Sequence, residues 1–324
     1  MIEQFDARGR LRHLITLEGL SKEQILAIIE RASSFLREPG QVPACSNSLA
    51  DRSVANLFFE PSTRTRASFE LAAKRLGAHV LSLDISTSSR AKGESLLDTI
   101  YTLEAMQCDI FVVRDAQAGV PDYIAEHASG HVHILNAGES YVSHPTQGLL
   151  DLMTIRRHKP DTSQLVVTII GDIRHSRVAR SAAQALGILG VGELRLVAPD
   201  NLMPTEDEFP GAVLTSDVEK GVTGADVIMA LRIQKERMSE ADVPNREQYF
   251  QLFGLDRRRL AMARPDAIVM HPGPMNRNVE IAPDVADGPQ SVIREQVTNG
   301  VAIRMAVMEA VGARLTENME EYAE

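Results

Sequence analysis

Cysteine is scarce in this chain: Cys45 and Cys108 are the two thiols in 324 residues, and neither sits in a C-x-x-C pair. Two are too few for a disulfide framework or a zinc site, so each reads as a buried or neutral thiol in a reducing compartment. Apolar runs of membrane-spanning length are missing, and Met1-Ile2-Glu3-Gln4 offers neither the basic region nor the apolar core of a signal peptide. The expectation is a cytoplasmic chain with no membrane partner. Positive charge is in deficit: 34 Lys and Arg stand against 44 Asp and Glu, a net charge of −10, which argues against a nucleic-acid partner. Familiar cofactor signatures are absent as well. Gly171-Asp172 follows an apolar run but lacks G-x-G-x-x-G, and no G-x-x-x-x-G-K-[ST], G-x-S-x-G or H-E-x-x-H occurs. The histidines and carboxylates show no metal-ligand spacing, so the expected chemistry needs no metal and no cofactor.

Against that acidic background one stretch is dense in donors: Glu60-Pro61-Ser62-Thr63-Arg64-Thr65-Arg66. It follows the apolar run Val54 to Phe59 and precedes a helical pattern from Ala67 to Leu76, so it reads as a strand-to-helix turn. The unpaired N–H groups of a first helical turn point outward, and the helix dipole adds partial positive charge. Three hydroxyls and two guanidiniums in five consecutive residues strengthen that field, and phosphate is the anion they suit. A helix cap needs one hydroxyl, not three flanked by arginines.

Along the chain, Ser21-Lys22-Glu23-Gln24 forms a capping box for a helix carrying Ile25, Ile28, Ile29, Ala32 and Phe35. Strands are expected at Val54–Phe59, Val80–Leu83, Ile110–Val113, Val132–Leu135, Leu165–Ile170, Leu194–Val197, Val213–Leu214, Val227–Ala230 and Ile268–Met270. Helical stripes follow several of them, including one that starts at Pro145, one over Val178–Leu189 and a last one over roughly Val292–Val311. Such alternation predicts an α/β chain of two domains, each a mainly parallel sheet flanked by helices.

Ligands of parallel α/β sheets bind outside the carboxyl ends of the strands. Here those ends carry the Ser62–Arg66 turn, Arg114, His144, Arg177, Leu231-Arg232-Ile233-Gln234 and His271-Pro272-Gly273-Pro274. Taken singly, each is weak: Arg114 reads as a surface arginine, Arg177 as a helix start, Arg232 as a partner of Glu236 along a helix, and His144 as a structural histidine. Ser86 to Glu94 reads, on composition, as a solvated loop. Their common placement predicts a strongly anionic substrate in a cleft between the domains.

Ser62-Thr63-Arg64-Thr65-Arg66, Lys92-Gly93-Glu94, Arg114, His144-Pro145-Thr146-Gln147 and His271-Pro272-Gly273-Pro274 together resemble the transcarbamoylase family, from the first helix to the last. Within it, Arg232-Ile233-Gln234-Lys235-Glu236-Arg237 and Pro272 are similar to the branch that uses L-aspartate. The Cys and the S-M-G loop typical of the ornithine branch are both missing. The resemblance implies transfer of the carbamoyl group of carbamoyl phosphate to L-aspartate, giving N-carbamoyl-L-aspartate and phosphate in de novo pyrimidine biosynthesis. Residues 1–144 would bind carbamoyl phosphate, with a C-terminal helix over 292–324 packing back on them, and residues 145–291 would bind aspartate.

Residue by residue, the resemblance gives Ser62, Thr63, Arg64, Thr65 and Arg114 to the phosphate, and Thr65, Arg114 and His144 to the carbonyl oxygen. Gln147 and the backbone carbonyls of Pro272 and Gly273 would take the carbamoyl amide. Arg64, Thr65, Arg114 and His144 would be the catalytic set. Arg177, Arg232 and Gln234 would hold the carboxylates of aspartate, joined by Lys92. Ser88 and Lys92 match loop residues that enter the active site of a neighbouring subunit in a homotrimer, which overrides the solvated-loop reading. Regulatory chains or a dihydroorotase-like protein are further partners the family allows. Three departures stand out: Gly273 where some members have Leu, Ala91 where some have Lys, and Asn278 where Gly is frequent. A transcarbamoylase for another amine, or a catalytically silent assembly subunit, are the competing readings.

Overall fold

The computed structural model describes residues 3–38, 40–84, 95–234 and 245–321. The chain divides into two units, Met1–Leu150 with Thr298–Glu324, and Asp151–Val297. Among the described residues no helix is long and apolar enough to cross a membrane. Cys108 is buried and Cys45 is exposed.

In the first unit the Ser21 hydroxyl accepts from the Gln24 N–H, and the Gln24 side chain answers the cap, so α1 (Lys22–Ser34) starts where the capping box predicts. It buries Ile25, Ile28, Ile29 and Ala32, one helical face. Four strands, β1 (Ser53–Phe58), β2 (His79–Asp84), β3 (Ile110–Asp115) and β4 (His133–Glu139), form a parallel sheet in the order β2-β1-β3-β4. Helices α2 (Thr63–Arg75), α3 (Leu96–Ala105) and α4 (Val120–His127) connect them. Ala55, Leu57, Ile100, Leu103, Phe111, Val113, Ile124 and Ile134 form a shared core. Each of the larger side chains among them, from valine up, contributes about 1.5–3 kcal/mol on burial.

Two differences from the sequence expectation matter here. Helix α2 begins at Thr63 and not at Ala67, so the donor-rich stretch is the helix's own first turn. Apolar periodicity hides that start because Thr63 to Arg66 is polar. Helix α4 had no counterpart among the expected elements: it is eight residues long, too short for a clear stripe, and enters through Gly119 at φ +81 with Pro121 in its first turn.

The second unit holds β5 (Val166–Ile170), β6 (Glu193–Val197), β7 (Val213–Thr215), β8 (Val227–Ala230) and β9 (Ile268–Met270), all parallel, in the order β7-β6-β5-β8-β9. β5 and β8 are almost wholly buried, as continuous apolar runs should be. Helix α5 (Pro145–His158) crosses the division at Leu150/Asp151, and α6 (Arg177–Leu189), α7 (Val218–Val222), α8 (Arg246–Phe253), α9 (Arg257–Leu260) and α10 (Pro283–Ala286) follow. Two basic residues of the last turn of α5 share one acid: Glu295 accepts from Arg157 Nε at 2.6 Å and pairs with His158 Nε2 at 2.7 Å. The final helix α11 (Ile293–Glu321) runs ten residues beyond Val311 and joins the first unit from Thr298 onward.

Candidate functional site

Each sheet reverses its strand order once, and the charged residues sit at those reversals. In the first sheet the chain lays β2 on one side of β1 and then β3 on the other, so the helices after β1 and β3 leave in opposite directions. A crevice opens at the strand ends where that happens. β1 delivers Glu60 to Arg66 there, and β3 delivers Arg114.

Ser62 is the N-cap residue of α2 by backbone conformation, yet its hydroxyl makes no capping hydrogen bond. The first turn of α2 contains no acidic residue, so nothing on the helix offsets the dipole's positive end. Thr63 and Arg64 are exposed, Ser62 and Arg66 partly so, and Thr65 is buried. The Arg66 guanidinium lies over the Phe58 ring, 5.3 Å from its centroid, which holds it beside the turn. A cavity of about 430 Å³ opens here, lined by Phe58, Glu60, Ser62, Thr63, Arg66 and Glu70. A hydrogen bond from Lys74 holds the Glu70 carboxyl below its usual range.

Arg114 is almost wholly buried. Its guanidinium donates to Glu60 Oε1 at 3.0 Å and to the Ala137 carbonyl at 3.1 Å. One arginine therefore ties the ends of β1, β3 and β4 together. Beyond β4 the chain is closed tightly: Glu139 donates its N–H to the Ser143 carbonyl at 3.0 Å, and the Ser143 hydroxyl donates to the Ile15 carbonyl at 3.2 Å. That closure sets His144 directly before Pro145, the first residue of α5, with His144 and Gln147 both buried.

The second sheet reverses between β5 and β8, on either side of which Arg177 and Arg232 stand. After β5 the chain turns through Gly171 at φ +142; a Cβ there would lie 2.5 Å from the Leu231 carbonyl oxygen, so only glycine fits. Asp172 follows, fully buried. Its Oδ1 accepts from the His175 main-chain N–H at 3.2 Å and lies 2.9 Å from His175 Nδ1, while Oδ2 accepts the Gln234 N–H at 3.1 Å. One carboxylate thus braces the β5 loop against the β8 loop. Arg177 is the first residue of α6, behind the Ser176 cap, and is buried. Arg232 and Gln234 are half-buried and reach each other, Arg232 Nη2 donating to Gln234 Oε1 at 3.4 Å and Gln234 Nε2 donating to the Arg232 carbonyl at 3.3 Å. Leu231 to Gln234 is not helical, and the reading that pairs Arg232 with Glu236 falls on a residue outside the described ones.

After β9, Gly273 takes φ +63, the left-handed region where a leucine would be strained. Asn278 is left-handed too, at φ +60; asparagine tolerates that conformation, which explains how it stands in for glycine. Ser88, Ala91 and Lys92 lie outside the described residues, as do Lys235, Glu236 and Arg237. The structure therefore groups Ser62 to Arg66 with Arg114 in one unit, and Arg177 with Arg232 and Gln234 in the other. Sequence reasoning gave no part to Glu60 or Asp172. Both are carboxylates that stand two residues after a buried strand, a position where an acid needs a partner.

A family model described as the carbamoyl-P binding domain of aspartate/ornithine carbamoyltransferase matches residues 12–157, and one described as its Asp/Orn binding domain matches residues 163–311. Among solved structures, aspartate transcarbamoylase from Trypanosoma cruzi in complex with carbamoyl aspartate and phosphate is similar at 31% identity and a TM-score of 0.84, over 96% of this chain and 99% of that one. The same enzyme in complex with carbamoyl phosphate gives 31% and 0.82, over 93% and 96%. Ornithine carbamoyltransferase from Pyrococcus furiosus gives 30% and 0.82, over 93% and 97%.

Proposed function

The chain belongs to the aspartate/ornithine carbamoyltransferase family, and we propose that within it the chain transfers the carbamoyl group of carbamoyl phosphate to the amine of L-aspartate, giving N-carbamoyl-L-aspartate and phosphate. The observation that carries the choice of amine is the pair of guanidiniums, Arg177 and Arg232, at the ends of β5 and β8, braced through Asp172. Two arginines suit the two carboxylates of aspartate. They would repel the cationic side chain of ornithine.

In this reading Ser62, Thr63, Arg64, Thr65 and Arg114 hold the phosphate, and Thr65, Arg114 and His144 face the carbonyl oxygen. Gln147 and the carbonyls of Pro272 and Gly273 take the amide. Arg177, Arg232 and Gln234 hold aspartate, with Lys92. As the amine attacks the carbamoyl carbon, negative charge grows on the carbonyl oxygen, and donors already aimed there stabilise the transition state, each by ~10²–10³ in rate. Holding both anions in place supplies the proximity contribution. His144 acts as a neutral hydrogen-bond donor, and the departing phosphate takes the amine proton. A rate profile that requires His144 to accept a proton would contradict that assignment.

The working form in this proposal is a cytoplasmic homotrimer serving pyrimidine biosynthesis, with Ser88 and Lys92 completing a neighbouring subunit's site. Mixing an Arg64→Ala protein with a Lys92→Ala protein should then restore part of the activity in hybrids. No recovery under verified subunit exchange would refute sharing. The primary test is product formation: purified protein given carbamoyl phosphate and L-aspartate should form N-carbamoyl-L-aspartate and phosphate in equal amounts. Absence of that product, with ornithine or another amine carbamoylated instead, would refute the assignment; no product with any amine would favour the silent-subunit reading.

A further inference from the structure

The turn after β9 contains a hydrogen-bond relay to which the roles above give no task. The Gly273 N–H donates to His271 Nδ1 at 2.8 Å, so that nitrogen carries a lone pair and the ring proton resides on Nε2. Nε2 lies 3.1 Å from Glu280 Oε1 and donates to it. The same oxygen accepts the Asn276 N–H. Both side chains are buried, at 0% and 1% exposure. The His271 main-chain N–H is held as well, by Gln296 Oε1 at 2.9 Å, and Gln296 Nε2 donates to Asp151 Oδ1 at 2.8 Å.

A buried carboxylate is costly, and Glu280 Oε2 has no hydrogen-bond partner among the described residues. An apolar side chain would fill the space without that cost. It would leave the His271 Nε2–H and the Asn276 N–H without an acceptor, so what Glu280 adds is direction. The direction reaches the main chain through peptide geometry. In a trans peptide the N–H of one residue and the C=O of the residue before it lie in one plane and point opposite ways. The cis bond of this turn is the next one, Gly273–Pro274. Fixing the Gly273 N–H on His271 therefore fixes the Pro272 carbonyl, pointing away from the histidine.

We propose that His271 and Glu280 are positioning residues that aim the Pro272 carbonyl at the amide of the carbamoyl group, and so select carbamoyl phosphate over acyl phosphates that lack an N–H donor. The inference rests on the reading that the Pro272 carbonyl takes that amide. Neither side chain touches substrate in this scheme. Their loss should weaken one contact and spare the phosphate.

The test compares carbamoyl phosphate, acetyl phosphate and inorganic phosphate by titration calorimetry on wild-type protein and three variants of verified fold. His271→Gln keeps a donor for Glu280 but loses the acceptor for Gly273. Glu280→Leu keeps the volume and releases the histidine. His271→Asn can still accept the Gly273 N–H from two residues back, as an Asx turn does. Expected is a loss of about tenfold in affinity for carbamoyl phosphate in the first two variants, the worth of one well-aimed hydrogen bond. Acetyl phosphate and inorganic phosphate should stay within about twofold, and His271→Asn should recover most of the loss. Equal weakening of all three ligands, or unchanged carbamoyl phosphate affinity, would overturn the relay. Wild-type protein that does not bind carbamoyl phosphate would instead refute the functional reading beneath it, and the inference with it.

Discussion

In the proposed assignment the two sheets meet their anions by different means. At the first reversal the donors are contiguous: Ser62 to Arg66 lie on one helical turn, and the helix itself aims their N–H groups. At the second they are dispersed: Arg177 starts a helix after β5, Arg232 stands in an irregular segment after β8, and Asp172 holds the two loops in register. A helix start is a rigid anion site because its backbone cannot turn away without breaking the helix. A braced pair of loops depends on a single buried side chain. The first arrangement suits an invariant group such as phosphate, and the second suits the part of the reaction where family members differ, the amine.

Four variants would break or sharpen that contrast. The largest effect should come from Arg114→Ala, which in the proposed mechanism removes a donor from the developing oxyanion; kcat should fall by ~10²–10³ with the KM for aspartate little changed. A loss confined to aspartate KM would put Arg114 on the wrong substrate. Next, Arg232→Ala would, on the proposed assignment, remove a charge-assisted contact worth about 1.5–3 kcal/mol, or roughly 10- to 150-fold in aspartate KM. Calorimetry should show inorganic phosphate binding intact, and a parallel loss of phosphate affinity would erase the division of labour.

Asp172→Asn should act through the brace. An amide can accept from the His175 N–H but presents its own N–H₂ to the Gln234 N–H, so the β8 loop is released. Aspartate KM should rise about tenfold, with carbamoyl phosphate KM within about twofold. If both rise together, the loops are not independent of the first site. The smallest effect is expected from Glu60→Gln, which removes the carboxylate that Arg114 binds at 3.0 Å and a negative charge beside the α2 turn. Inorganic phosphate should bind about two- to fivefold tighter, because a partly exposed ion pair is worth about 1 kcal/mol or less. Weaker binding would mean that Glu60 orients Arg114 for the ligand and does not compete with it.

That contrast also explains what the amino-acid sequence disclosed. The Ser62–Arg66 stretch is visible at once because its chemistry is adjacent in the chain. Arg177 and Arg232 gain meaning only through the rule that parallel strands present ligands at their carboxyl ends, and the strand order that places both at one reversal is not written locally. Asp172, Glu60 and Glu280 escaped notice for a further reason. Carboxylates are abundant in a chain of net charge −10, and only burial, for Asp172 and Glu280, or an arginine partner, for the half-buried Glu60, distinguishes these three from the solvated majority. Helix α4 was lost to its brevity, and the start of α2 to the polarity of its first turn.

The central claim is that the second unit selects an anionic amine. The most direct measurement is a competition: purified protein, carbamoyl phosphate, and equimolar L-aspartate and L-ornithine, with both carbamoylated products quantified in the same reaction. Carbamoyl aspartate should form almost alone, and Arg232→Ala should lower its yield without raising that of citrulline to match. Citrulline as the main product of the wild-type protein would contradict the account.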